Sequence, residues 1–187
     1  TGSVATSDQA LPLHVLDRAQ FKAWNAAQSP ALQAWLQSQN FTASGHSVAL
    51  LPGEHGIASA VIGIGDAGDA YSYAHAPHAL PEGTVWKLAT ALEPAQQDLL
   101  QLGWGLGSYR FDRYKARNRA PAQLLASPSA EVAALVAASL RVRDWVNTPT
   151  EDMGPQQLED AARALAGAHG AQLVAITGGA LLEEGFP

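Results

Sequence analysis

The stretch RDWVNTPTEDMGP, residues 143–155, is the most specific part of the sequence. Its Thr148-Pro149 pair is expected to end the helix that precedes it, because a residue before proline avoids the helical region. Pro155 is expected to begin the next helix, since proline is favoured at the first helical position. The stretch therefore predicts a short connector between two helices.

The segments on either side of this connector have helical patterns. An Ala-rich helix is predicted over 129–146, with Ser129 as its capping residue. A second helix is predicted over 155–169, followed by an apolar strand over 173–176 and a short helix around Leu181. A strand of this kind needs parallel neighbours and helices on both faces. Either it joins the sheet of the first 128 residues, or its partners lie beyond the C-terminus, and the intervening helix favours the second.

Short helices and strands alternate over residues 1–128, which predicts an α/β domain with a mixed sheet flanked by helices. Gly103, Gly105 and Gly107 are expected to end the last helix of this domain. The predicted strands are 13–16, 47–51, 57–64, 84–88 and 122–126, and the predicted helices start at Asp17, Pro30, Ala70 and Pro94.

Composition excludes several classes of protein. The chain has 187 residues, a formal net charge of -6 and no cysteine, which excludes a disulfide scaffold, a cysteine-based metal site and a thiol nucleophile. Apolar residues make up 47%, which argues against a disordered chain. No segment reaches the roughly 20 apolar residues that span a bilayer. We therefore expect no membrane partner. We also expect a cytoplasmic protein, with which the absence of cysteine is compatible.

Charge is unevenly distributed along the chain. Residues 101–128 carry five bases and one acid, whereas 1–100 and 129–187 each carry three bases and eight acids. Aromatic residues alternate with charges over Tyr109–Lys115, a pattern that can stack on nucleic-acid bases and neutralise phosphates. A half-buried strand with its aromatic side chains inward is the favoured interpretation. Residues 109–119, called the basic segment below, contain five bases: Arg110, Arg113, Lys115, Arg117 and Arg119.

Two further patterns are typical of ligand sites but lack the necessary context. Gly63–Gly68 matches G-x-G-x-x-G after a strand, yet no strong apolar helix follows and no acid lies about 20 residues on, so a turn is favoured over a nucleotide site. His75 and His78 are three residues apart, but Pro77 disturbs their spacing and a metal needs a third ligand. A surface or capping role is expected for both histidines.

Adjacent acids do not form a catalytic pair in a helix, because neighbouring side chains do not face each other. The pairs Glu151-Asp152, Glu159-Asp160 and Glu183-Glu184 are therefore expected to be solvated or to lie at helix N-termini. The residues alone predict no catalytic, metal-binding or cofactor-binding site in this chain.

Residues 143–155 closely resemble the start of the catalytic domain in the leucyl aminopeptidase (cytosol aminopeptidase) family, with the pattern R-D-x-V-N-T-P-x-x-D-M-x-P. The helix, strand and helix predicted over 155–187 are similar to those that follow in the family. Tyr109-x-Phe111-x-x-Tyr114-Lys115 also resembles the aromatic-Lys signature that closes the N-terminal domain of the family. The resemblance is strong over 141–187, moderate over 99–115 and weak before that.

The resemblance implies a metal-dependent aminopeptidase that removes N-terminal residues of the leucine type from peptides. Two divalent ions, zinc or manganese, activate the attacking water in this family, which is also expected to form homo-hexamers. The family's metal ligands, a lysine and several carboxylates assisted by an arginine, lie in motifs well downstream of Asn147-Thr148-Pro149. Since none has a matching position here, no metal or catalytic residue is assigned, and these three residues are given a structural role.

The implied organisation has three parts: an N-terminal α/β domain over 1–128, a linker helix over 129–149, and the incomplete start of the catalytic domain over 150–187. We therefore expect the chain to be the N-terminal part of a longer enzyme, to bind no cofactor and to lack peptidase activity by itself. The alternative is a non-catalytic binding module that uses residues 110–119 to contact nucleic acid or a partner protein. Nucleic acid is the less favoured partner, because only this short segment is basic.

Overall fold

A computed structural model of the chain describes residues 2–65, 68–116 and 119–186. The chain divides into two compact units, Thr1–Leu140 and Arg141–Pro187, called the first and the second unit below. The first unit contains the whole sheet. No helix among the described residues is both long and apolar enough to span a membrane.

Six strands of the described residues form one sheet in the first unit. They are β1 (Ser3–Val4), β2 (Leu11–Asp17), β3 (Ser47–Gly53), β4 (Gly56–Gly65), β5 (Val85–Leu88) and β6 (Gln123–Leu125).

The sheet is mixed, with the strand order β1-β6-β5-β2-β4-β3. Five strands run parallel, and only the edge strand β3 is antiparallel to its neighbour β4. The carboxyl ends of β2, β4, β5 and β6 therefore lie along one edge of the sheet. The predicted α/β fold with a mixed sheet is confirmed, although β1 was not predicted.

Seven α-helices and one 3₁₀ turn lie in the described part of the chain. The helices are α1 (Arg18–Ala26), α2 (Pro30–Ser38), α3 (Ala76–Ala79), α4 (Pro94–Gly107), α5 (Ala130–Asn147), α6 (Pro155–His169) and α7 (Ala180–Glu183), and the 3₁₀ turn is Ala70–Tyr73.

Helices cover both faces of the sheet. The side chains of the strand β2 alternate between the two faces, and apolar side chains on each face are buried under helices. Leu13 of β2 belongs to a buried cluster with Trp104 of α4. Leu16 of the same strand belongs to a second cluster with Phe21 of α1 and Leu36 of α2. Each fully buried side chain of this size contributes about 1.5–3 kcal/mol.

α4 ends at Gly107, the last of the three glycines predicted to end it, but the prediction is wrong for Gly103 and Gly105, which lie inside the helix. These glycines lie where α4 meets its neighbours. A Cβ atom at Gly103 or Gly107 would overlap the carbonyl oxygen of Ala70 or Ala74, and one at Gly105 would lie 2.7 Å from a methyl group of Val136. Gly103 and Gly105 therefore permit close packing within the helix instead of terminating it.

The second unit contains the end of α5, then α6 and α7. The predicted strand at 173–176 is wrong for this structure, since residues 171–177 have no regular secondary structure. The side chains of Val174 and Leu182 are 85% and 74% exposed. A strand needs a hydrogen-bonding neighbour, and the described residues of this unit contain no other strand.

Candidate functional site

A cavity of about 400 Å³ lies in the first unit, where β2 and β4 end. Asp17 and Gln20 line it from the end of β2 and the start of α1, and Gln96 and Leu99 line it from α4. In open α/β sheets, ligands bind outside the carboxyl ends of the strands where the strand order reverses. Here the chain passes from β2 to β4 on one side and then returns to β5 on the other.

Two glutamines that line this cavity form the same kind of hydrogen bond with the backbone. The backbone N–H of Asp17 donates to Oε1 of Gln20 (3.0 Å), and the backbone N–H of Glu93 donates to Oε1 of Gln96 (3.3 Å). Asp17 completes its capping box by accepting the N–H of Gln20 at 2.7 Å. Because each Oε1 is occupied, each Nε2 amide group is left to donate elsewhere.

Tyr73 lines the same cavity and is only 1% exposed. Its hydroxyl group forms no hydrogen bond with any other residue that the structure describes. Burial raises the pKa of this hydroxyl, and the negative charge of Asp69 raises it further. The neutral phenol is therefore a donor that lacks an acceptor.

Two glycines of the motif at 63–68 are required by the fold itself. Asp66 and Ala67 of this motif lie outside the described residues. A Cβ atom at Gly63 would overlap the carbonyl oxygen of Ser44. Gly65 has a φ of +63°, which favours glycine. The segment that follows is only the short 3₁₀ turn, and Asp69 already caps its Ser72 N–H at 3.0 Å. Among the described residues of this segment, no free helix N-terminus is therefore available to a phosphate.

The histidines at 75 and 78 do not form a pair. The ring of His75 lies against His46, with centroids 5.3 Å apart and planes almost perpendicular, whereas Nε2 of His78 accepts a hydrogen bond from Nε of Arg110 at 3.2 Å. Burial lowers the pKa of His75, and His46 lowers it further, although the backbone of Ser47 and Ser72 opposes this change. The described residues contain no group of three or more His, Cys, Asp or Glu that could hold a metal ion.

The basic segment is not a strand, so that prediction is wrong; residues 109–116 form irregular loops and bends. Arg119 donates to the backbone carbonyl of His78 at 2.5 Å and to that of Leu80. The guanidinium of Arg113 lies 5.6 Å above the ring of Tyr114, and Arg117 lies outside the described residues. At least Arg119 therefore stabilises the fold instead of presenting its charge to a ligand.

The connector that follows α5 is ordered by local hydrogen bonds. The N–H and the hydroxyl of Thr148 both donate to the carbonyl of Asp144, at 3.1 and 2.6 Å. The N–H of Asp152 donates to the carbonyl of Pro149 at 2.9 Å. As predicted, α5 ends before Pro149 and α6 begins at Pro155.

One of the acidic pairs forms ordinary contacts along a helix. Glu159 accepts from Arg163 at 2.6 Å, and Asp160 accepts from Gln156 at 3.0 Å, each one turn away in α6. Such exposed pairs are worth only about 0.3–0.5 kcal/mol, and nothing in them indicates catalysis.

Residues 11–127 match the family model described as M17 aminopeptidase, N-terminal domain. The chain belongs to this family. The family match covers the part of the sequence in which the motif resemblance was weakest, and it confirms the aminopeptidase relationship predicted from 143–155. A search of curated proteins found no match.

Solved structures share the fold of the chain beyond the matched domain as well. The cytosol aminopeptidase from Coxiella burnetii superposes on the chain with a TM-score of 0.83 and 24% identity, over 96% of this chain and 40% of that one. The bottromycin maturation enzyme BotP in complex with Mn gives a TM-score of 0.70 and 24% identity, over 95% and 40%. A mutant of tomato leucine aminopeptidase gives 0.58 and 15%, over 90% and 42%. The chain thus spans about two fifths of the length of the structures it matches.

Sequence reasoning missed the cavity of this M17 N-terminal domain and all the polar residues that line it. Two signals for it were nevertheless present. Asp17-x-x-Gln20 and Glu93-x-x-Gln96 each follow a strand and have the acid-to-glutamine spacing of a capping box. Only the strand order brings the two glutamines to one cavity.

Proposed function

We propose that this chain is the N-terminal part of a metal-dependent aminopeptidase that removes N-terminal residues of the leucine type from peptides. The family match over residues 11–127 carries the proposal. The R-D-x-V-N-T-P connector supports it, because it resembles the pattern that starts the catalytic domain in the family. The proposed organisation is an N-terminal domain over 1–128, a linker helix over 129–149 and the start of the catalytic domain over 150–187.

The described residues of this chain do not fit a two-metal site, because no three potential His, Asp or Glu ligands come together. Carboxylates such as Glu159 and Asp160 are engaged along their own helix. We therefore assign the metal ions, manganese or zinc, to another part of the enzyme, and no catalytic step to residues 1–187. BotP, one of the structural neighbours, is described as a complex with Mn.

The first test is the activity of the purified chain. Hydrolysis of a leucyl amide substrate is expected to equal the buffer blank, with or without added manganese or zinc. A turnover that requires the metal and saturates with substrate would show that the chain carries its own active site, and would end this assignment.

The second test concerns the complete enzyme that carries this domain. Its activity on leucyl substrates is expected to disappear on strong chelation and to return with manganese or zinc. Activity that survives exhaustive chelation would contradict the two-metal assignment. We also propose that this enzyme is cytoplasmic and forms a homo-hexamer. The mass of the enzyme from sedimentation equilibrium would test the number of subunits.

The competing proposal, a binding module, depends on the basic segment. The engagement of Arg119 with two backbone carbonyls weakens it, because one of the five bases is already used within the fold. Salt-dependent binding of DNA by 1–187, lost on charge reversal at Arg110, Arg113 and Lys115, would revive it.

A further inference from the structure

We propose that the cavity at the ends of β2 and β4 binds a free apolar amino acid as its zwitterion. Asp17 would accept the ammonium group, the amides of Gln20 and Gln96 would donate to the carboxylate, and the apolar side chain would lie against Leu92 and Leu99. The ligand chemistry follows from the cavity alone. The source of the ligand, the residue released by an aminopeptidase, rests on the proposed function.

The charge of the cavity selects the class of ligand. Asp17 is the one charged side chain among the described residues that line it, and neither lysine nor arginine is among them. One oxygen of its carboxylate accepts the N–H of Gln20, which leaves capacity for an ammonium donor. A nucleotide or another phosphate ester would place its negative charge beside Asp17 without a compensating base.

The opposite charge of a zwitterion also has a partner. Both α1 and α4 begin at the cavity, but the acidic N-cap residues Asp17 and Glu93 already offset their helix dipoles, so the partners of the carboxylate are side-chain donors. The N3 residues of these helices, Gln20 and Gln96, each keep an amide Nε2 group available because their Oε1 atoms are occupied. A carboxylate is the acceptor that suits two such neutral donors.

The third observation is independent of the helix ends. Tyr73 is 1% exposed and lines the cavity, yet its hydroxyl group has no hydrogen bond to another described residue. The neutral hydroxyl group is accessible from the cavity, where it can donate a hydrogen bond to a ligand. A ligand carboxylate or carbonyl oxygen in the cavity would supply the missing acceptor.

Size and surface complete the match. The volume of about 400 Å³ lies within the range of about 300–1,000 Å³ that is usual for small-molecule sites. Leu92 and Leu99 contribute an apolar wall, and Ile64 adds to it. These side chains favour leucine-like ligands over glycine, because burial of an apolar side chain supplies much of the affinity of a small ligand.

The test is calorimetric titration of the purified chain with L-leucine. We expect a dissociation constant of about 1 mM or lower, a realistic affinity for so small a ligand. Binding should weaken at least about tenfold for leucinamide, which lacks the carboxylate, and for 4-methylpentanoate, which lacks the ammonium group, because each loses hydrogen bonds made by a charged group of the ligand. Two further ligands complete the series: glycine, which lacks the apolar side chain, and adenosine, which is not a zwitterion. Both should bind more weakly than leucine.

Two substitutions locate the site. Asp17→Asn keeps a good capping residue but removes the charge, so binding should weaken about tenfold to a hundredfold, the loss expected for a charged hydrogen bond. Tyr73→Phe removes one hydroxyl, with an expected loss of about two- to tenfold. Asp98→Asn is the matched control, because Asp98 lies on the exposed surface of α4 and does not line the cavity.

The result that would overturn the proposal is no leucine binding up to about 10 mM, well above the expected dissociation constant, by a chain whose circular dichroism shows it to be folded. Unchanged binding by Asp17→Asn would also overturn it, as would preferential binding of adenosine or a nucleotide. Binding is measured without a peptidase assay, so failure here leaves the proposed function intact. Conversely, loss of the peptidase assignment would leave a measured leucine site in place.

Discussion

Substituting Gly103 with alanine is expected to destabilise the first unit, although alanine is the better helix former. In an exposed helix interior this change gains about 1 kcal/mol. At Gly103 the new Cβ atom would overlap the carbonyl oxygen of Ala70 and lie 3.1 Å from Cβ of Tyr73. A backbone oxygen cannot rotate away as a side chain can, so α4 or the 3₁₀ turn must move.

The size of the effect follows from two opposing quantities. Overpacking of this kind costs about 1–3 kcal/mol, and the upper end applies because the obstacle is backbone. After subtracting the helical gain of about 1 kcal/mol, the net loss is about 1–2 kcal/mol. For a chain of this length each kcal/mol corresponds to a shift of about 2–4 °C in Tm, so Gly103→Ala should melt about 2–8 °C lower.

Urea denaturation monitored by fluorescence measures the effect, because Trp86 and Trp104 are buried in the first unit. The midpoint should fall while the slope of free energy against urea stays constant. A Gly103→Ala midpoint equal to or above that of the unsubstituted chain would refute the close approach of α4 to the 3₁₀ turn.

Two controls use the same substitution in other surroundings. Gly105→Ala meets the side chain of Val136, which can shift, so its loss should be smaller, about 0–1 kcal/mol. Gly167→Ala in α6 meets nothing within 4 Å and should increase helicity without changing the midpoint of the first unit.

Three further predictions concern other parts of the chain. Burial lowers the pKa values of His14 and His75 below 6.5, so below about pH 6.5 the unfolded chain binds more protons than the folded chain. The free energy of unfolding should therefore fall as the pH is lowered from about 7.5 to about 5.5, with a shallower slope in His75→Gln, and a flat profile would contradict this. Arg119→Ala should destabilise the first unit by about 1–3 kcal/mol because two carbonyls lose a charged donor, and Arg119→Lys should lie between Arg119→Ala and the unsubstituted chain, as measured by urea denaturation. Limited proteolysis should cut first within 171–179, where regular structure is absent and the side chains are mostly exposed, and initial cleavage within the sheet would count against this.

Much of the secondary structure could be predicted from local signals. Asp17 and Ser129 accept hydrogen bonds from the N–H groups of the helices that they begin, as their residue types and positions indicate. Pro149 and Pro155 mark the end of α5 and the start of α6 for reasons internal to their own backbone. These predictions succeeded because a cap or a proline acts on neighbouring residues only.

The failures share a different cause. The glycines of α4 were taken as a helix end, whereas their lack of a side chain serves contacts with Ala70, Ala74 and Val136, up to 33 residues away. The apolar segment 173–176 has the composition of a strand, but composition does not supply the neighbouring strand that a ladder requires. In both cases the deciding partner was remote in sequence.

The sequence by itself determined several helix boundaries, most of the strands and the membership of an aminopeptidase family. Only the tertiary structure decided which side chains meet. Asp17 and Gln96 are separated by 79 positions, yet they line one cavity with Tyr73 because β2 and β4 are parallel neighbours and α4 packs on the same side of the sheet as the 3₁₀ turn. Local patterns set where each element begins and ends, but the order of strands depends on burial of the whole sheet, and that order placed the candidate site.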